Sequence, residues 1–150
     1  MRAANHNRLL GAVSAAIIDR FSHRSSLSAV PANVRIDGKV CLITGANSGL
    51  GKAVAIDLAK RGARVLMACR SGHPEAGAEI GRSSGSAGVE MLPIDLADLE
   101  SVHALCDTLR RKAVRVDIAV LNAGLMPLNA RRSPQGYELM FAVHFLANRV

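Results

Sequence analysis

The segment Val40-Cys41-Leu42-Ile43-Thr44-Gly45-Ala46-Asn47-Ser48-Gly49-Leu50-Gly51 is a short apolar run that ends in three glycines. It reads as a buried strand, a turn able to cradle a phosphate, and the start of a helix. Such a turn needs glycine because the chain reverses sharply and brings backbone N–H groups within bonding distance of a pyrophosphate, where a Cβ would intrude. Gly45, Gly49 and Gly51 are therefore the first candidate ligand contacts. Glycine-rich turns also end ordinary helices, so the surrounding chain has to decide between the two readings.

From Ile36 onward the pattern alternates between strand and helix. Lys39 to Thr44 reads as the first strand. Gly51 to Arg61 reads as the first helix, with basic residues in its last turn and Gly62 placed to end it in the left-handed conformation. Its apolar row of Leu50, Val54 and Leu58 is interrupted by Asp57, so that helix rests on its end signals. Arg64 to Cys69 is a second strand, Gly72 to Gly88 a Gly- and Ser-rich, weakly helical stretch, and Val89 to Ile94 a third strand. Asp95 to Arg111 has the cleanest helical face, with Leu99, Val102, Leu105, Cys106 and Leu109 on one side and Asp98 able to cap its start. A fourth strand, Asp117 to Leu121, runs into Asn122-Ala123-Gly124. An Arg-containing loop from Met126 to Pro134 follows, and Gly136 to Val150 reads as a final helix.

Alternating strands and helices with short connections imply an α/β, doubly wound parallel sheet, in which ligands lie beyond the carboxyl ends of the strands. The glycine turn, Cys69-Arg70, Asp95 and Asn122-Ala123-Gly124 all fall on that rim, which makes a binding crevice a better account than four accidents. A dinucleotide site carries an acid about twenty residues past its glycines for the ribose hydroxyl, or a cation if that ribose is phosphorylated. Here the second strand ends Ala68-Cys69-Arg70 with no carboxylate. A guanidinium holds a phosphate through two parallel hydrogen bonds, so Arg70 argues for NADP over NAD, against the alternative of a solvated surface arginine. Asp95 either accepts from an adenine amino group or caps the following helix. Asn122 either pins backbone beside the cofactor or is an ordinary turn residue.

Composition sets the outer limits. The chain has 150 residues, 49% apolar and 21% charged, which suits one soluble globular domain and argues against disorder. The three cysteines lie far apart, and Cys41 and Cys69 fall inside apolar runs, as buried thiols in a reducing compartment do. The five histidines share no metal-ligand spacing with one another or with the cysteines, so no metal site is expected. Of the net charge of +7, residues 1–35 carry +4, from five Arg and one Asp. With no Trp, one Tyr and three Phe there are few platforms for stacking bases, and nucleic-acid binding is not expected. Within residues 1–35, Leu10, Val13, Ile17 and Phe21 recur at helical spacing, as in a short amphipathic helix, and residues 22–33 read as a linker. That basic extension fits a helix docked on its own domain, an organelle-targeting leader or a peripheral membrane contact through residues 1–21. Its apolar part is too short to span a bilayer. The rest of the chain has a cytoplasmic character.

Thr44-Gly45-Ala46-Asn47-Ser48-Gly49-Leu50-Gly51, Asp95-Leu96 and Asn122-Ala123-Gly124, in that order and at those separations, resemble the short-chain dehydrogenase/reductases. The Ala68-Cys69-Arg70 strand end resembles the branch containing retinol dehydrogenases and protochlorophyllide reductases. The resemblance covers residues 36–150. It implies an NAD(P)-binding Rossmann sheet truncated after its fourth strand and following helix, and hydride transfer between a small-molecule carbonyl and an alcohol. It also implies a homo-oligomer for the full-length protein, and it adds Thr44, Asn47, Ser48, Leu50, Leu96, Ala123 and Gly124 to the cofactor contacts. Two departures stand out. The position of the family's catalytic asparagine falls on His144. The family's catalytic serine, and its tyrosine and lysine four residues apart, have no counterpart: Phe141 lies four residues after Tyr137, and no lysine follows Lys112. The chain is then either the cofactor-binding half of an NADP-dependent oxidoreductase or a non-catalytic nucleotide-binding or interaction module complete at Val150.

Hydride transfer to a carbonyl leaves an alkoxide that needs a proton, and a positioned acid contributes roughly 10²–10⁴-fold. The 150-residue chain is therefore expected to show no NADP-linked turnover across a panel of aldehydes and ketones, and to self-associate through the apolar edge Ile118-Ala119-Val120-Leu121. A monomeric mass together with turnover like that of an intact family member would refute this.

Overall fold

Four of the apolar runs pair as parallel strands: β1 (Val40–Thr44), β2 (Arg64–Cys69), β3 (Val89–Pro93) and β4 (Ile118–Val120), in the spatial order β3-β2-β1-β4. The computed structural model describes residues 30, 31 and 33–150. The helix expected around residues 10–21, and the linker up to residue 29, lie outside the described residues. All the elements below belong to one unit, residues 32–150.

β1 and β2 occupy the middle of the sheet, with Cys41 beside Val65 and Ile43 beside Met67, and five of the six β2 residues are buried. Strands covered on both faces need apolar side chains at consecutive positions, which is why Val65 to Cys69 reads as an unbroken apolar run. The period of two then sorts these side chains. Cys41, Ile43, Val65, Met67 and Cys69 face one layer, together with Ala55, Ala59, Ala76 and Ile80. Leu66, Ala68, Leu92 and Ile94 face the other, with Val102, Leu105 and Ala147. Each fully buried large side chain, Ile43 and Met67 among them, contributes roughly 1.5–3 kcal/mol. The sheet is therefore doubly wound: α1 (Gly49–Lys60) and α2 (Glu75–Ser84) cover one face, and α3 (Leu99–Arg111) covers the other.

α1 departs from the expected apolar row. Its buried positions are Gly51, Ala55 and Ala59, while Leu50 is 74% exposed. Small residues four apart let the helix approach the sheet closely, and that proximity outweighs the larger side chains of the neighbouring row. Asp57, which interrupts that row, faces solvent and pairs with Arg61 one turn on at 2.8 Å. The end of α1 follows expectation. Gly62 has φ +94°, its N–H donates to the Ala59 carbonyl, and the N–H of Ala63 donates to the Leu58 carbonyl.

α3 starts at the expected cap, with the Asp98 carboxylate accepting from the Glu100 N–H at 3.1 Å. Asp117 joins the beginnings of β4 and β1, accepting from the Val40 N–H and the Lys39 ammonium, both at 3.0 Å. Those two bonds hold its carboxyl below the usual carboxylate range. The final helix is shorter than read from sequence: α4 covers only Leu139–His144, and a 3-10 turn follows at Leu146–Asn148. The Glu138 carboxylate caps α4 through the N–H groups of Met140 and Phe141, while Ser133 to Tyr137 spend their backbone on a turn of their own. At Phe145 the chain leaves the helix (φ −121°), and Ala147 then packs into the second core cluster. Among the described residues no helix is long and apolar enough to cross a membrane.

α3 ends with the same pair of bonds as α1, from Ala113 to Arg110 and from Val114 to Leu109, but the left-handed position is Ala113 at φ +49°. An L side chain there costs about 1–2 kcal/mol. Ala113→Gly is therefore expected to stabilise the protein by about 1 kcal/mol, read as a higher urea midpoint with an unchanged slope.

Candidate functional site

The three glycines of the first turn are not alike in their surroundings. Gly45 (φ +66°) carries the sheet ladder one residue beyond β1 by donating to the Ala68 carbonyl at 2.9 Å, and a Cβ there would lie 3.0 Å from the Ala123 Cα. At Gly51 a Cβ would lie 2.6 Å from the Gly45 carbonyl oxygen and closer still to the Asn122 side chain. Gly49 (φ +55°) is the reverse case: a Cβ there would meet nothing within 4 Å. Gly45 and Gly51 are thus required by the protein's own packing, and Gly49 faces open space.

Asn122 and Thr44 clasp the turn from behind. The Asn122 amide donates to the carbonyls of Thr44 at 3.1 Å and Gly45 at 3.3 Å, and the buried Thr44 hydroxyl accepts from the Ala123 N–H at 3.0 Å. Asn122 therefore pins the backbone of the glycine turn.

The turn delivers the chain into α1, whose N-terminus is electrostatically bare. The Ser48 side chain makes no capping bond, and no acidic residue lies in the first turn. Each of the other described α-helices has at least one of these: Glu75 in α2, Asp98 and Glu100 in α3, Glu138 in α4. Unpaired N–H groups and the positive end of the helix dipole attract an anion.

In front of the turn lies a cleft of about 180 Å³. It brings together Gly45, Asn47, Arg70, Asp95, Leu96, Ala123 and Gly124 from four separate strand ends. Thr44, Gly51 and Asn122 stand behind this surface, and Ser48, Gly49 and Leu50 lie exposed at the start of α1. Arg70 is exposed at the end of β2 and makes no hydrogen bond or ion pair with any described residue. The Asp95 carboxylate accepts from the Ala97 N–H at 2.9 Å while Asp98 caps α3, so the capping alternative for Asp95 falls away. Cys69 lies beneath the turn. Burial pushes its thiol up, and the N–H groups of Ala46, Asn47 and Gly45 pull the other way.

His144 is not part of the cleft lining, and its Nε2 accepts from the Leu125 N–H at 2.9 Å. Sequence reasoning missed Ser71, Ile94, Leu125 and Val143 on the cleft wall. Ser71, Ile94 and Leu125 directly follow or precede residues already singled out on strand ends, whereas Val143 reaches the cleft only through the placement of α4. Because the Gly51 position is filled by Asn122 and a carbonyl, Gly51→Ala is expected to cost about 1–3 kcal/mol of stability by overpacking, measurable by urea unfolding.

Comparison with known proteins agrees with this geometry. Residues 39–147 match the family model described as short chain dehydrogenase. The chain is 39% identical over 126 residues to human retinol dehydrogenase 14, covering 74% of this chain and 38% of that protein. It is 40% identical over 111 residues to bovine dehydrogenase/reductase SDR family member 13, covering 73% of this chain and 29% of that protein. It thus spans well under half the length of these relatives. Among solved structures, the Pseudomonas aeruginosa RhlG/NADP active-site complex superposes with a TM-score of 0.61 at 27% identity, over 80% of this chain and 47% of that one. A short-chain type dehydrogenase/reductase from Mycobacterium marinum gives 0.51 at 35% identity, over 65% and 39%. With the family model matching across the glycine turn and all four strands of the parallel sheet, this chain belongs to the short-chain dehydrogenase/reductases.

Proposed function

We propose that residues 36–150 form the cofactor-binding part of an NADP-dependent oxidoreductase that interconverts a small-molecule carbonyl and an alcohol. The observation that carries the reading is Arg70: an exposed guanidinium with no partner among the described residues, at the end of a strand where a carboxylate would select an unphosphorylated ribose. The RhlG structure, a complex with NADP, supports the same choice of cofactor.

The residues present fit such a ligand. The open side of Gly49, with the N–H groups of Ser48, Leu50 and the rest of the first turn of α1, would hold the pyrophosphate, and Gly45 and Asn47 would line its approach. Arg70 would take the ribose phosphate in a bidentate grip. The Asp95 carboxylate, with one oxygen already engaged by the Ala97 N–H, would accept from the adenine amino group, while Leu96 packs beside the ring. Ala123 and Gly124 would line the nicotinamide end, and Thr44, Gly51 and Asn122 keep the turn in shape. The nicotinamide supplies a hydride. What these residues contribute is alignment and the exclusion of water from one face of it.

Arg70→Asp should then weaken NADP by about 1.5–3 kcal/mol more than NAD, the size of a charged hydrogen bond. Titration of the protein with both cofactors measures this, and equal losses would remove Arg70 from the role.

A further inference from the structure

The segment Gly124 to Leu128 has almost nothing to hold it. Among the described residues it makes one hydrogen bond, the one from the Leu125 N–H to His144 Nε2. Met126 is 84% exposed and Leu128 fully so, and neither anchors the loop by burial. Gly124 and Leu125 nevertheless form a wall of the cleft, together with Val143.

His144 is firmly based by comparison. It closes α4, whose start is fixed by the Glu138 cap and whose Leu139, Ala142 and Val143 are buried. A further bond runs from the Asn148 amide to the His144 carbonyl at 3.0 Å. The imidazole reaches across to the loop, and Gly124 leaves it room: a Cβ at that position would lie 3.3 Å from Nε2. Because an N–H donates to Nε2, that nitrogen presents its lone pair and the ring proton resides on Nδ1. A nitrogen engaged this way has no proton to give a substrate.

We infer that His144 is a positioning residue: by accepting the Leu125 amide it sets the Gly124–Leu125 wall at the end of the cleft away from Arg70, which on the reading above is the nicotinamide end. An asparagine at the same place could accept the same N–H through its carbonyl oxygen. A side chain without an acceptor could not, and the wall would then have no hydrogen bond at all.

The test uses the 150-residue chain, with NADP as the probe and the variants His144→Phe, His144→Asn and Gly124→Ala. Nitrogen NMR is expected to find the His144 ring protonated at Nδ1. Exchange of the Leu125 amide should speed up at least about tenfold in His144→Phe, with the amides of β1 and β2 unchanged, and should slow again in His144→Asn. NADP affinity should fall roughly five- to tenfold in His144→Phe, the loss of about one hydrogen bond, and recover in His144→Asn. Gly124→Ala, which would bring a Cβ to 3.3 Å from Nε2, should speed Leu125 exchange in the same direction as His144→Phe. A ring protonated at Nε2, an unchanged Leu125 exchange rate in His144→Phe, or equal NADP affinity in all variants would each overturn the role. A wild-type chain that binds no NADP would overturn the dinucleotide reading, and the Leu125 exchange pattern would still decide whether His144 holds the wall.

Discussion

Where β1 leaves the sheet, the carbonyls of Thr44 and Gly45 pass beyond the ladder and need donors, and a single side chain, Asn122, supplies both. A buried carbonyl without a partner costs about as much as a lost hydrogen bond, so this clasp is a condition for the turn to exist in its observed shape. It also explains the neighbours. Gly51 must lack a side chain because Asn122 occupies the space, and Gly45 must lack one because Ala123 does. The direction in which α1 sets off, and so the direction in which its unpaired N–H groups point, follows from contacts made by the end of β4.

Order of strands matters for the same reason. β2 and β3 lie on one side of β1 and β4 on the other, so the chain segments that leave β1 and β4 diverge and a crevice opens between them. That crevice is lined by backbone and small side chains near the turn and by Arg70 and Asp95 further out. Charge is distributed accordingly. The bare N-terminus of α1 and the unpartnered Arg70 lie on this rim, whereas Arg61, Arg64, Lys39 and Lys112 elsewhere on the unit are paired with carboxylates. Exposed pairs of that kind add little stability, typically under about 1 kcal/mol.

The family supplies a frame for one departure. The sequence resemblance set His144 against an asparagine of the family's catalytic set, and in the structure the Nε2 of its ring accepts a backbone N–H. The glycine at 124 and the histidine at 144 belong together, since the ring would be crowded by any other residue there.

What the sequence determined by itself was whatever depends on near neighbours. The unbroken apolar runs specify buried parallel strands, Gly62 and Asp98 specify where helices stop and start, and Cys41 and Cys69 are buried because the runs around them are. Arg70 at the end of β2 is likewise a local fact, read from a strand end with no acid in it. Tertiary structure decided the rest. α1 buries Gly51, Ala55 and Ala59 because the sheet and Asn122 come close on that side, which no helical periodicity of large residues reveals. α4 is six residues long because Ser133 to Tyr137 and Glu138 commit its expected first turn elsewhere. The clasp joins residues 78 positions apart, and the His144 bond joins residues 19 apart across a loop with no regular structure. Such pairings carry no period and no end signal along the chain. They come into being only when the sheet has brought the two segments together.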